Sequence, residues 1–235
     1  MTRNQFTGAL ALLVFVGSVA IVRADSFDDV EKKLDAASKS VKSMQMKSSM
    51  ETKMAQQGFE MTSTTTGMYW HKRDGDKVMM RMEGDSKTVQ NIGGMKQETT
   101  QKTLMVSDGD IIYTLSETDG NKMVMKNKAQ ADTQPWSAAK ADNEFKVLPD
   151  ESVDGADCYV FEATPKNKEA GDQSHTTYYC RKDCGFPVKM MAYGPDGQVM
   201  TTMTYTDIKL NVDIPADKFE FEPPAGVQVM DMTGA

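Results

Sequence analysis

Residues 44–54 read MQMKSSMETKM, in which Met44, Met46, Ser48, Met50, Thr52 and Met54 alternate with Gln45, Lys47, Ser49, Glu51 and Lys53. Successive side chains of a strand point to opposite faces, so this period of two predicts a β-strand with one apolar and one polar side. Just upstream the period is different. Phe27, Val30, Leu34, Ala37, Val41 and Met44 recur at intervals of three and four, which predicts one face of an amphipathic helix over 26–42. Ser26 suits an N-cap, and Asp28 and Asp29 fall in the first turn, where the helix dipole favours acids.

Downstream, strand-like runs follow at 59–71, 77–83, 86–92, 99–107, 110–116 and 122–127, and again at 145–148, 157–164, 176–182, 187–193 and 198–209. Arg73-Asp74-Gly75-Asp76, Gly93-Gly94, Asp108-Gly109, Asp119-Gly120-Asn121 and Gly194-Pro195-Asp196-Gly197 separate them as turns. This is the pattern of an antiparallel meander. Residues 129–144 interrupt it with an Ala-, Asp- and Lys-rich stretch around Pro135 and Trp136 that lacks the period of two, and a short helical insertion fits. No linker divides the chain, so residues 25–235 are expected to form a single domain. The expected fold class is α+β, mostly antiparallel β: a curved sheet covered by the N-terminal helix and the short helical insertion. Such a sheet encloses a cavity or a filled core, and the pattern fits both.

Arg3, the uncharged apolar run Ala9–Val22 and the Val22-Arg23-Ala24 site have the organisation of a cleaved secretory signal over 1–24. The run is short of the roughly 20 residues needed to span a bilayer, and no cysteine precedes Cys158 to carry a lipid anchor. An exported, periplasmic and soluble protein is expected. The net charge of −7 becomes more negative when Arg3 and Arg23 leave with the signal, which disfavours nucleic acid and anionic membrane surfaces as partners. There is no G-x-S-x-G, H-E-x-x-H, P-loop or G-x-G-x-x-G segment, and the two histidines, His71 and His175, have no evident acid partner. Neither enzyme activity, a cofactor nor a metal site of His and acids is expected.

Two features of composition stand out: 20 Met and three Cys. Met44, Met46, Met50 and Met54 share one strand face, as do Met80 with Met82 and Met123 with Met125. Ordinary packing and the lining of a lipid cavity both fit, because flexible, polarisable Met adapts to mobile acyl chains. M-x-M spacing with Cys also suits Cu(I), a soft ion. An odd number of cysteines permits one disulfide. Cys180 and Cys184 flank a three-residue stretch that predicts a tight hairpin loop, and Cys158 with Cys180 is the alternative pair.

Three segments, TGMYWHKRDGDKV (66–78), LMVSDGDIIYTLSETDGNKMVM (104–125) and IPADKFEFEPPAGVQVMD (214–231), resemble in order the LolA-type periplasmic outer-membrane lipoprotein carriers. With the helix over 26–42 the resemblance covers most of residues 25–235. It implies a half-open β-barrel closed by helices, with an apolar interior that takes acyl chains. On this likeness the cavity would be lined by Met46, Met50, Met80, Met82, Met105, Met123, Met125 and Trp136. In the family the Arg of a Lys-Arg-Pro segment helps hold the helical lid shut. Lys72-Arg73-Asp74 matches there, so Arg73 takes the lid-lock place, while Asp74 replaces the Pro and Lys77 stands where the family has an aromatic.

The expected function is a monomeric carrier of an acylated lipoprotein or lipid towards the outer membrane, with an inner-membrane release complex and an outer-membrane acceptor as partners. The alternatives are an exported Cu(I)-binding Met/Cys-rich protein and a non-transporting envelope sensory or interaction domain on the same scaffold.

Overall fold

A computed structural model describes residues 25–75, 77–129 and 135–234. The proposed signal segment 1–24 lies outside the described residues, as does 130–134 of the insertion.

The helix forms where the spacing placed it. α1 (Phe27–Lys39) opens on a capping box in which Ser26 and Asp29 exchange hydrogen bonds, satisfying two of the backbone donors that a helix start leaves orphaned. It ends at Ser40, so Val41 and Met44 belong to the following segment, not to the helix as expected. Phe27, Val30 and Leu34 are buried, each contributing about 1.5–3 kcal/mol of transfer free energy.

Eleven long strands and one short one follow: β1 (Ser43–Gln56), β2 (Phe59–Asp74), β3 (Lys77–Ile92), β4 (Met95–Ser107), β5 (Ile111–Thr118), β6 (Asn121–Lys128), β7 (Asn143–Val153), β8 (Ala156–Pro165), β9 (His175–Arg181), β10 (Pro187–Tyr193), β11 (Val199–Leu210) and β12 (Val229–Asp231). They form one open, curved sheet in the order β12-β6-β5-β4-β3-β2-β1-β11-β10-β9-β8-β7. All pairs are antiparallel except β12 with β6. The mostly antiparallel α+β class is therefore as expected. Near the middle of the sheet β1 pairs with β11, where Met50 stands opposite Met203.

Several expectations need correction. The runs 77–83 and 86–92 are one strand, β3, because Gly84 sits directly opposite Gly67 of β2 and the ladder continues through both. The insertion is helical only over α2 (Pro135–Ala139) among the described residues, and β7 already starts at Asn143. β12, too short to show a period, was not anticipated. Gly93-Gly94 and Asp119-Gly120 make two-residue hairpins with both φ values positive, at 57° and 88° and at 51° and 83°, as type I′ turns require.

The two sheet faces are covered differently. On one face α1 and Trp136 of α2 pack over β7–β9: Phe27 stacks on Phe145 at 4.0 Å, and Trp136 meets Phe161 and Tyr178 edge-on at 5.0 Å each. On the other face the segment after β11 crosses β2–β5. There Ile214 and Phe219 bury Trp70, Phe221 stacks on Tyr113 at 5.0 Å, and Lys218 Nζ lies 3.9 Å from the Trp70 ring centre.

The face under α1 is the inner one. Trp136 sits over β8, nine strand steps from β6, which in a flat sheet would be roughly 43 Å at about 4.8 Å per step. Only seven peptide steps separate Ala129, at the end of β6, from Trp136, and these reach at most about 25 Å. The sheet must therefore curl towards this face to let the chain cross.

Candidate site on the inner face of the sheet

Pairing register decides which side chains share the inner face. Met46, Tyr69, Met82, Met105, Thr114 and Met125 stand in one row across β1–β6. The neighbouring row is Met44, His71, Met80, Ser107, Ile112 and Asn127. Met123 lies one row further on, opposite Ser116, and Met50 two rows on, opposite Thr65. The seven methionines expected to line a cavity thus fall on one face. Trp136 lies apart, over β8 and β9.

Charge divides the faces sharply. Lys47, Glu51, Lys53, Glu60, Arg81, Glu83, Asp85, Lys87, Glu98, Lys102, Glu117, Lys122 and Lys126 all take outward register positions. Among the described residues of β1–β6, Arg73 is the one Asp, Glu, Lys or Arg at an inward position. Outward partners pair with each other, as in Lys87–Glu98 at 2.8 Å. Alternation of this kind keeps the costly groups in water and leaves the inner face of β1–β6 uncharged apart from Arg73.

The inner face is filled at one end and open elsewhere. Met46 is fully buried, packed with Val41, Met44 and Cys184, while Tyr69, Phe186 and Tyr205 close round the group. Trp136 is 9% exposed inside the aromatic group beneath α1. These two residues are packing residues of the closed end. Met50, Met80, Met82, Met105 and Met125 are half-buried and Met123 is 44% exposed. Surface cavities among the described residues are lined by other residues, one of about 740 Å³ by outward groups such as Thr64, Asp85, Lys102 and Glu117 together with Ser86 and Gln101. Among the described residues, the half-buried methionines thus line a face partly open to solvent.

Arg73 lies at the end of β2 opposite Val78, and its backbone N–H donates to the Lys42 carbonyl at 2.8 Å. The carbonyls at the end of α2 have other partners: Asn143 Nδ2 donates to Ala139 O at 3.0 Å, and Lys166 Nζ donates to Lys140 O and Ala141 O at 2.7 and 3.1 Å. Lys140 then ties this segment to α1 through Asp28 at 2.6 Å and through Glu31, and its Nζ lies 5.4 Å from the Phe27 ring centre. The hydrogen bonds to Asp28 and then Glu31 raise the Lys140 pKa. Sequence reasoning missed Lys140, Asn143 and Lys166, since single polar residues beside an irregular stretch carry no pattern.

The expected disulfide is absent, and Cys158, Cys180 and Cys184 are all free and buried. The hairpin loop is longer than the spacing suggested. Cys180 pairs with Pro187, so the loop runs from Arg181 to Phe186 and Cys184 is not across from Cys180. Cys180 packs under α1, whereas Cys184 joins the Val41–Met44 group. The alternative pair fails for another reason. Cys158 is opposite Arg181 and Cys180 opposite Tyr159, so the two cysteines take opposite faces of the sheet. Burial pushes the Cys184 thiol up to about 11 and raises Cys158 and Cys180 as well.

A family model that carries only the description "-like: Uncharacterized protein" matches residues 111–218. The "Uncharacterized protein MJ0687" of Methanocaldococcus jannaschii is 31% identical over 83 residues, which are 35% of this chain and 22% of that one. The chain thus spans about a fifth of that relative's length. Among solved structures, MucB superposes with a TM-score of 0.50 at 17% identity over 86% of this chain and 64% of its own. An uncharacterized conserved protein of Thermus thermophilus superposes with a TM-score of 0.53 at 7% identity, covering 88% of this chain and 99% of that one. A LolA superfamily protein of Nitrosomonas europaea aligns over 84% of this chain at 16% identity and a TM-score of 0.29. The chain shares the fold of MucB and of that Thermus thermophilus protein.

Proposed function

We propose that this protein is an envelope carrier that binds the acyl chains of a lipid or lipoprotein against its inner face, and that it catalyses no reaction. The observation that carries this reading is the inner face of β1–β6, uncharged except for Arg73 at the end of β2, with half-buried Met82, Met105 and Met125 in one row. Each methylene moved from water onto such a surface contributes about 0.8 kcal/mol, so a chain of ordinary length supplies affinity without specific polar contacts. Thioether side chains repack round mobile chains of differing length. Arg73 and the Lys140 clamp are assigned to hold the crossing between β6 and β7 over the closed end, with release of the ligand requiring that crossing to shift. Location in the periplasm, and delivery between membranes through partner proteins, belong to the same proposal. Among the described residues no helix is long and apolar enough to cross a membrane.

A second reading, a non-transporting interaction domain, draws on MucB, which has been solved in complex with MucA. Titration with the uncharged apolar dye N-phenyl-1-naphthylamine separates the two. Saturable binding, displaced by an acylated peptide and not by its unacylated form, supports the carrier. Absence of any uptake favours the interaction domain.

A further inference from the structure

Along the inner face of β2 and β3, beyond Gly67 and Gly84, the methionine rows give way to hydroxyl groups. Thr65 Oγ1 and Ser86 Oγ are 2.7 Å apart across β2 and β3, Ser63 Oγ and Thr88 Oγ1 are 2.9 Å apart, and Thr52 Oγ1 and Thr201 Oγ1 are 3.1 Å apart across β1 and β11. All six side chains are half-buried. Gly67 and Gly84 separate this zone from the Met82 row without filling the space between. A hydroxyl offers one donor and two acceptor sites. Each pair uses one donor and one acceptor internally, leaving one donor and three acceptors, so the zone has a surplus of acceptors. It has no charge. The nearest inward charge along β2 is Arg73, eight residues from Thr65 and therefore about 26 Å away at about 3.3 Å per residue.

We infer that the ligand is an amphiphile with an uncharged, hydroxyl-rich head group, its chain on the Met82 row and its head against the Thr65–Ser86 and Ser63–Thr88 pairs. This rests on the acyl-binding reading and adds the chemistry of the head. Sugar hydroxyls donate as well as accept, which matches three free acceptors to one donor. A phosphate only accepts, and finds one donor per pair and no cation at an inward register position of either row. A quaternary ammonium offers no N–H donor, and an ionised head placed on this face loses water without gaining a counter-charge.

The test is displacement of N-phenyl-1-naphthylamine by three ligands with the same chain, all at monomeric concentration: dodecyl maltoside, dodecyl phosphate and dodecyltrimethylammonium. The maltoside is expected to displace the dye at a concentration at least about tenfold below either charged ligand, which is the ratio expected from two or three hydrogen bonds. In the double variant Thr65→Val, Ser86→Ala the preference should fall about tenfold while dye affinity stays unchanged; Thr64→Val, on the outer face, should change neither. Valine suits a strand and is close in size to threonine, and unaltered dye binding reports an intact fold. Should the double variant bind no dye, Ser63→Ala with Thr88→Val asks the same question one row further on. Equal displacement by charged and uncharged ligands, or a preference that survives both double variants, overturns the inference while leaving acyl binding in place. Failure of the wild-type protein to bind the dye overturns both.

Discussion

Gly67 and Gly84 face each other across β2 and β3 but are not equivalent: a Cβ on Gly67 would stand 2.0 Å from the Glu83 carbonyl oxygen, whereas one on Gly84 would meet only Thr65 Cγ2 at 3.5 Å. The first distance is with backbone, which cannot swing aside. Gly67→Ala is therefore expected to destabilise by about 1–3 kcal/mol, the usual range for overpacking, with Gly84→Ala changing stability by less than about 0.5 kcal/mol. Urea midpoints of the two variants check this. Equal midpoints would show that the strands do not approach as closely as described.

The clamp between Lys140 and α1 gives a second expectation. Lys140→Met keeps the chain packed over Phe27 and removes the ion pairs with Asp28 and Glu31. Partly exposed pairs of this kind contribute about 1 kcal/mol or less. Global stability should change little, while limited proteolysis within 126–145 should quicken. Arg73→Ala should quicken it too if Arg73 acts as the lid lock. Cutting rates equal to wild type in either variant remove that residue from the clamp.

The methionine row makes a third. Met82→Glu with Met105→Glu should lower affinity for the apolar dye by at least about tenfold and move the unfolding midpoint only modestly, because both side chains are half-exposed already. If this variant fails to fold, the row is core and the acyl-binding face is lost with it.

Thiol chemistry provides a fourth. Iodoacetamide should label none of the three cysteines in the native protein and all three in denaturant without reductant; one label in denaturant would reveal a disulfide. The pH dependence follows in sign from the same burial. Cys184 is raised to about 11 when folded, against an ordinary value of 9.0. Between these values the unfolded chain has already lost the proton, so the stability present below pH 9 is lost as pH rises towards about 11. Urea midpoints at about pH 8 and about pH 10.5 should show a smaller drop for Cys184→Ala than for wild type.

Much of this fold was legible from two periods. The three-and-four spacing of Phe27, Val30 and Leu34 gave the helix, and Met44 to Met54 gave the first strand with its correct faces. The segregation of Lys47, Glu51 and Lys53 from Met46 and Met50 was visible in that same stretch. Illegible features depended on pairing across the sheet. Gly84-Asp85 read as a break because nothing local reveals that Gly67 lies opposite. Cys180 and Cys184 read as facing residues because loop length is set by the Cys180–Pro187 register. The roles of Lys140 and Lys166 depend on where two helices meet, which no periodicity encodes.

The β1–β11 pair near the middle of the sheet has a consequence for how the chain acquires its structure. β1 to β6 is a run of neighbouring hairpins, and so is β7 to β11, whereas Met50 and Met203 are 153 residues apart in sequence. Contacts between distant residues carry the larger loop-closure cost and are slow to form. Each run should assemble first, and the seam between β1 and β11 should zip last, as the rate-limiting event. The covalent crossing at 129–135 then serves mainly to raise the effective concentration of one half near the other. A chain cut there should behave as two complementing fragments that regain the native sheet on mixing, at a rate set by their concentration.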